Sequence, residues 1–115
     1  MWPFSRRPRI RRVSDRFSVT GQLRPDDLPA IAAAGFDILI CARPDGEGRN
    51  QTSGAEIAAQ AARLGLAVRH IPVAGPPGPE QIVAFRAAMA ESQGRVLGWC
   101  RSGARVRMLH HLARD

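Results

Sequence analysis

Three times in this 115-residue chain a helix-compatible segment stops at a glycine and an apolar run begins almost at once. Gly35 precedes residues 36–41 (FDILIC), Gly65 precedes residues 66–73 (LAVRHIPV), and Gly94 precedes residues 95–99 (RVLGW). Glycine ends a helix well because it takes the left-handed conformation at C′. The runs that follow have the length and composition of strands. With residues 17–20 (FSVT) as a first strand, the order reads β-α-β-α-β-α-β-α. Strands joined through helices need crossovers, which make the sheet mainly parallel and cover both of its faces. The expected fold is a single α/β domain, and the length suits one core rather than two.

The helices carry their own signals. Pro25-Asp26-Asp27 suits the first turn of a helix that runs through Leu28, Ile31 and Ala32. Ser53 caps a helix over residues 54–64, with Glu56 placed for a capping box. Residues 80–92 carry Ile82, Val83, Phe85, Ala88 and Met89 at helical spacing, an expected core stripe. The last helix covers residues 106–113. Residues 1–15 read as a basic arm with little structure, and residues 16–115 as the domain.

In open parallel sheets, sites form beyond the carboxyl ends of the strands. Three loops fall there: residues 43–53, 74–79 and 100–105. The last, Cys100-Arg101-Ser102-Gly103-Ala104-Arg105, carries the strongest chemical signal. The strand delivers Cys100 to the sheet edge. Gly103 lets the backbone curl so that its N–H groups point inward. The helix that follows aims its positive end at the same spot. Arg105 reaches back to grip an oxyanion. Such surroundings are expected to lower the thiol pKa and make Cys100 a nucleophile. The backbone of Arg101, Ser102, Gly103 and Ala104 joins Arg105 and Arg43 as the expected anion-binding set.

Composition excludes other classes. The formal charge of +7 rests on arginine alone, since the chain has no lysine. Five arginines crowd between Arg6 and Arg12, as a solvated tail or a contact for a polyanion. Elsewhere they are dispersed without interleaved aromatics, which disfavours nucleic-acid binding. No apolar run approaches membrane-spanning length. MWPFSRRPRIRR lacks the apolar segment of a secretory leader, so cytoplasmic residence is expected. Two cysteines do not make a disulfide framework, and without CxxC or HxxxH spacing neither a metal nor another cofactor is expected. Cys41 reads as a small core residue, with a resolving thiol as the sharper reading. His70 sits inside a strand, His110 and His111 lie beyond reach of the loop, and Trp99 packs beside the strand end.

The runs SVTGQLRPDDLPAIAAAGFDILICARPDGE, VRHIPVAGPPGPEQIVAFRAAMA and VLGWCRSGAR together resemble a bacterial family, the phosphatase-like domain of beta-lactamase hydrolase-like proteins. The resemblance extends from about Phe17 to the end. It implies a fold related to dual-specificity and tyrosine phosphatases, with Cys100 as the nucleophile. It also implies a domain that occurs alone or fused to a metallo-β-lactamase-fold partner of the sulfur-dioxygenase kind. The chain departs from the phosphatase pattern in three ways. CRSGAR is one residue shorter than the tyrosine-phosphatase loop and has the size of a rhodanese loop. Val106 stands where a hydroxyl residue is usual. The loop AGPPGP lacks the general-acid aspartate, which leaves Asp45 or Glu47 of the other rim loop, with Asp45 the preferred acid.

The expected activity is hydrolysis of a phosphate ester, with Cys100, Arg105 and Asp45 as the catalytic set. One alternative is a rhodanese-like sulfurtransferase that takes a sulfane sulfur from a small donor and carries it on Cys100 as a persulfide. The other is a non-catalytic anion-binding module with a regulatory role.

Overall fold

The computed structural model describes residues 8–114. One sheet runs in the order β1-β2-β5-β3-β4. Its strands are β1 Arg11–Arg12, β2 Phe17–Thr20, β3 Phe36–Cys41, β4 Ala67–His70 and β5 Arg95–Trp99. Strands β2, β5, β3 and β4 are mutually parallel, while β1 pairs antiparallel with β2. The helices are α1 Leu28–Ala33, entered through a tight turn at Pro25–Asp27, then α2 Gly54–Ala62, α3 Pro79–Glu91 and α4 Ala104–Ala113.

Alternation along the strands splits the core in two. Ile38 and Ile40 of β3 join Val96, Phe85, Val106 and Leu109 under α3 and α4. Leu39 and Cys41 join Leu28, Ile31, Ile57, Leu97 and Trp99 under α1 and α2. Helices therefore cover both faces of a mainly parallel sheet, as the glycine-punctuated pattern predicts.

Several local expectations are corrected. Residues 8–15 are not a loose arm. Arg11 and Arg12 pair with Val19 and Ser18, and Ile10 and Val13 pack against the two cores. Residues 1–7, which carry Arg6 and Arg7, lie outside the described residues. Gly35 and Gly65 do take φ values of +94° and +78° behind their helices. Gly94 has no such role: α3 stops earlier, where Ser92 turns extended and its hydroxyl bonds Asp37 at 2.6 Å. The third run forms regular strand only to His70, before Pro72 with its missing N–H. Its hydrogen bonding continues irregularly, from Ile71 N–H to the Cys41 carbonyl at 2.7 Å and from Val73 N–H to Ala42 at 2.9 Å. In α3, Phe85 and Ala88 are buried, but Val83 is 63% exposed and lies off the core stripe.

Candidate active site

Strand β5 lies between β2 and β3 and is hydrogen-bonded on both sides. Its end is therefore among the most firmly held points of the sheet. Cys100 follows directly, buried, with its side chain in the α3/α4 core. The backbone N–H of Gly103 donates to its Sγ at 3.0 Å. Gly103 has φ +97°, a left-handed conformation that side chains disfavour. The turn it makes brings that N–H onto the sulfur and starts α4 at Ala104, two residues earlier than the sequence reading. No side chain caps α4 at its N-cap position. Its first turn keeps the partial positive charge that attracts anions.

The loop is braced from outside. Gln22 N–H donates to the Arg101 carbonyl at 3.4 Å, and Arg11 Nη2 donates to the Ser102 carbonyl at 3.1 Å. Gly21 permits that approach, since a Cβ there would stand 2.9 Å from the Arg101 oxygen. The first described strand thus reaches the Cys100–Arg105 loop directly. The side chains of Arg101 and Ser102 are exposed. The Ser102 hydroxyl accepts from Ala104 N–H at 3.3 Å.

Arg105 leaves the first turn of α4 and is held at one edge. Nη1 donates to Glu47 Oε2 at 2.7 Å and to the Val73 carbonyl at 2.9 Å, and Nη2 donates to Glu47 Oε1 at 2.7 Å. Arg43, largely buried, donates from Nε to the same carboxylate at 3.0 Å and from Nη1 to Gln22 at 3.0 Å. The hydrogen bond from Arg105, helped by Arg43, holds the Glu47 carboxyl far below the usual range, at about 2. Glu47 in turn raises the pKa of Arg105, with Cys100 as a smaller favourable influence. A guanidinium has five N–H donors. Three of those on Arg105 meet Glu47 and the Val73 carbonyl. The guanidinium also interacts with the Cys100 sulfur.

Asp45, the expected proton donor, makes its hydrogen bond away from the clamp. Its Oδ1 accepts from Gly54 N–H at 2.8 Å, at the head of α2, where Ser53 also caps Glu56 N–H at 3.1 Å. The carboxylate at the clamp is Glu47, four residues beyond Arg43 in the same loop. The sequence offered it only as the alternative to Asp45, since an offset of four residues carries no signal in a loop. The loop is folded around Arg43, whose carbonyl meets His70 Nε2 at 2.8 Å and the Cys41 thiol at 3.5 Å.

Cys41 belongs to the α1/α2 core, the face opposite Cys100, and both cysteines are free. Burial pushes the Cys41 thiol up to about 12. That environment suits an inert core residue and not a resolving thiol. Arg107 is exposed on α4, apart from the clamp. His110 stacks on Phe17 at 4.7 Å in the core, away from the loop. Among the described residues no cluster of His, Cys, Asp and Glu suits a metal ion, and no helix is long and apolar enough to cross a membrane.

Residues 9–115 match the family model described as "Beta-lactamase hydrolase-like protein, phosphatase-like domain". A beta-lactamase hydrolase-like protein of Agrobacterium fabrum is 37% identical over 102 residues, which are 88% of this chain and 24% of that protein. The chain thus spans about a quarter of the length of such relatives. Among solved structures, a candidate phosphatase from Neisseria meningitidis superposes with a TM-score of 0.77 at 29% identity, over 84% of this chain and 70% of that one. The structure of Tk-PTP in its active form superposes with a TM-score of 0.64 at 21% identity, over 90% of this chain and 65% of that one, and is a likeness of fold alone.

Proposed function

The chain belongs to the phosphatase-like domain family of beta-lactamase hydrolase-like proteins, and on that premise we propose that it is a cysteine-dependent phosphatase-like hydrolase. Cys100 attacks the phosphorus of a phosphate ester as thiolate. An S–P bond forms as the ester P–O bond breaks, and the leaving oxygen takes its proton from solvent. Water then attacks phosphorus, inorganic phosphate departs, and the thiolate is restored. Backbone N–H groups of residues 101–105 and the Arg105 guanidinium hold the equatorial oxygens. Glu47 is a positioning residue: it pins the far edge of Arg105, and Arg43 acts through it. The observation that carries this reading is the meeting of Cys100, the Gly103 N–H and a clamped Arg105 at the head of α4.

One observation favours a second reading. Asp45 is engaged at α2, and Glu47 is held ionised by two arginines. Neither stands ready to protonate a leaving group. Rhodanese-like sulfur transfer, with a persulfide on Cys100 in the six-residue loop, needs no such acid. The same relatives' greater length makes a partner domain part of this proposal, a metallo-β-lactamase-fold sulfur dioxygenase being the one the resemblance implies.

The test is a pair of assays on the wild type and Cys100→Ser. Phosphate release from an aryl phosphate, abolished by the substitution, supports the hydrolase. Thiocyanate formation from thiosulfate and cyanide, without phosphate release, transfers the assignment to sulfur transfer. Sulfate binding with neither activity identifies a non-catalytic module.

A further inference from the structure

Beside the anion loop runs an apolar groove of about 430 Å³, walled by Pro76 and Pro77 on one side and by Ala104, Arg105, Met108 and Leu112 of α4 on the other. Met108 and Leu112 are two of the four large apolar side chains exposed among the described residues, at 47% and 41%. They sit one helical turn apart on the same face. Two exposed apolar side chains on one stripe, facing two prolines, form a patch rather than scattered surface residues. The groove starts at Arg105 and follows α4 for seven residues, about 10 Å at 1.5 Å per residue.

We infer that this groove holds the apolar body of an amphiphilic ligand whose anionic head sits on the Cys100–Arg105 loop, so that the substrate class is a phosphate monoester of an apolar alcohol or phenol. This rests on the anion-loop assignment above and adds to it. Continuity argues for this occupant. Ala104 and Arg105 belong both to the groove wall and to the loop proposed to seat the head, so the two sites adjoin. The groove carries no charged side chain except Arg105 itself. It can therefore reward apolar length but not a polar or charged body. The proline pair keeps its wall stiff, which lowers the ordering cost of binding.

The experiment measures binding, which needs no turnover. Methyl-, butyl- and octylphosphonate are titrated calorimetrically into Cys100→Ser, below their aggregation limits, with octyl glucoside as a tail without an anionic head. A fully buried methylene is worth about a fourfold gain, and in an open groove roughly twofold. Octylphosphonate is expected to bind about a hundredfold tighter than methylphosphonate, and octyl glucoside weakly. Met108→Ser with Leu112→Ser, both surface changes, should flatten the series and leave methylphosphonate affinity unchanged. Equal affinities along the series, or a slope that survives the double substitution, overturn the groove assignment while the head site stands. A wild-type dimer that the double substitution dissociates in sedimentation also overturns it, because a second copy then covers the groove. If no phosphonate binds, the anion-loop assignment fails and takes this one with it.

Discussion

Glu47 grips the guanidinium of Arg105 with both carboxylate oxygens at 2.7 Å, while Arg43 reaches the same carboxylate at 3.0 Å. The pairing joins the rim loop to the first turn of α4 and fixes the orientation of the Arg105 guanidinium. Its pH signature follows from linkage. Glu47 drops from an ordinary 4.5 to about 2 in the fold. A carboxyl lowered in this way stabilises the folded state above its unfolded pKa and loses that contribution as pH falls toward the folded value. The stability gap between wild type and Glu47→Gln should therefore be constant above about pH 5 and should close toward pH 2. Denaturant titrations across that range measure it. A gap independent of pH would mean that the pair contributes through shape and not charge.

Arg105 meets Glu47 and the Val73 carbonyl, and the proposed mechanism has it hold an anion as well. An ammonium has three donors on one point and no planar fork. Arg105→Lys should weaken sulfate binding and any turnover by about one to two decades, as a lost charge-assisted bidentate contact does. Arg107→Lys should change little, because Arg107 is exposed along α4. Sulfate titration of the two variants checks this. The reverse ranking would move the clamp out of the six-residue loop.

Asp45 and Glu47 also mark where the sequence stopped being readable. The strand order and the two faces of the core follow from apolar runs and glycines, and these are local patterns. Which of two acids two residues apart meets Arg105 depends on a path through Gly46 at φ +74° and Asn50 at φ +64°, and on Gly54 N–H claiming Asp45. No periodicity records that path. Strand β1 was equally hidden: Arg11 and Arg12 are both exposed, so an edge strand of two arginines carries no apolar alternation. The turn that brings Gly103 N–H onto Cys100 was legible because the two lie three residues apart at a strand end.

If Asp45 serves α2, its removal should cost stability and spare chemistry. Asp45→Ala loses the acceptor for Gly54 N–H, worth about 1 kcal/mol for a helix-terminal cap. The expected result is a lowered melting temperature with the kcat and pH profile of the wild type. A lost acidic limb in the profile would restore Asp45 as a proton donor.

The two thiols should differ sharply in alkylation. Cys41 lies on the face opposite Cys100, with its thiol pushed up to about 12, so it stays protonated at neutral pH. Cys100 receives the Gly103 N–H at the head of α4. Iodoacetamide at pH 7 should label Cys100 alone, more slowly with sulfate present, and should reach Cys41 only after unfolding. Mass spectrometry of tryptic peptides reads both. Labelling of Cys41 first would remove Cys100 from its role as nucleophile.

Gly98 tests how the core positions the site. It lies in β5 two residues before Cys100, where a Cβ would meet Val106 Cγ2 at 2.5 Å and Phe17 Cζ at 2.8 Å. Neither neighbour can yield easily: Val106 is fixed in the first turn of α4, and Phe17 is wedged between Phe85 and His110. Overpacking of this kind costs about 1–3 kcal/mol. Relief comes most readily by lifting the start of α4, which carries Arg105. Gly98→Ala should therefore lower stability and also weaken sulfate binding, although the glycine touches no ligand. Val106→Ala in the same chain removes the obstructing methyl group and should restore part of the binding. Thermal melts and sulfate titration of the single and double variants decide it. Loss of stability with sulfate affinity intact would show that β5 can absorb the strain without moving the loop.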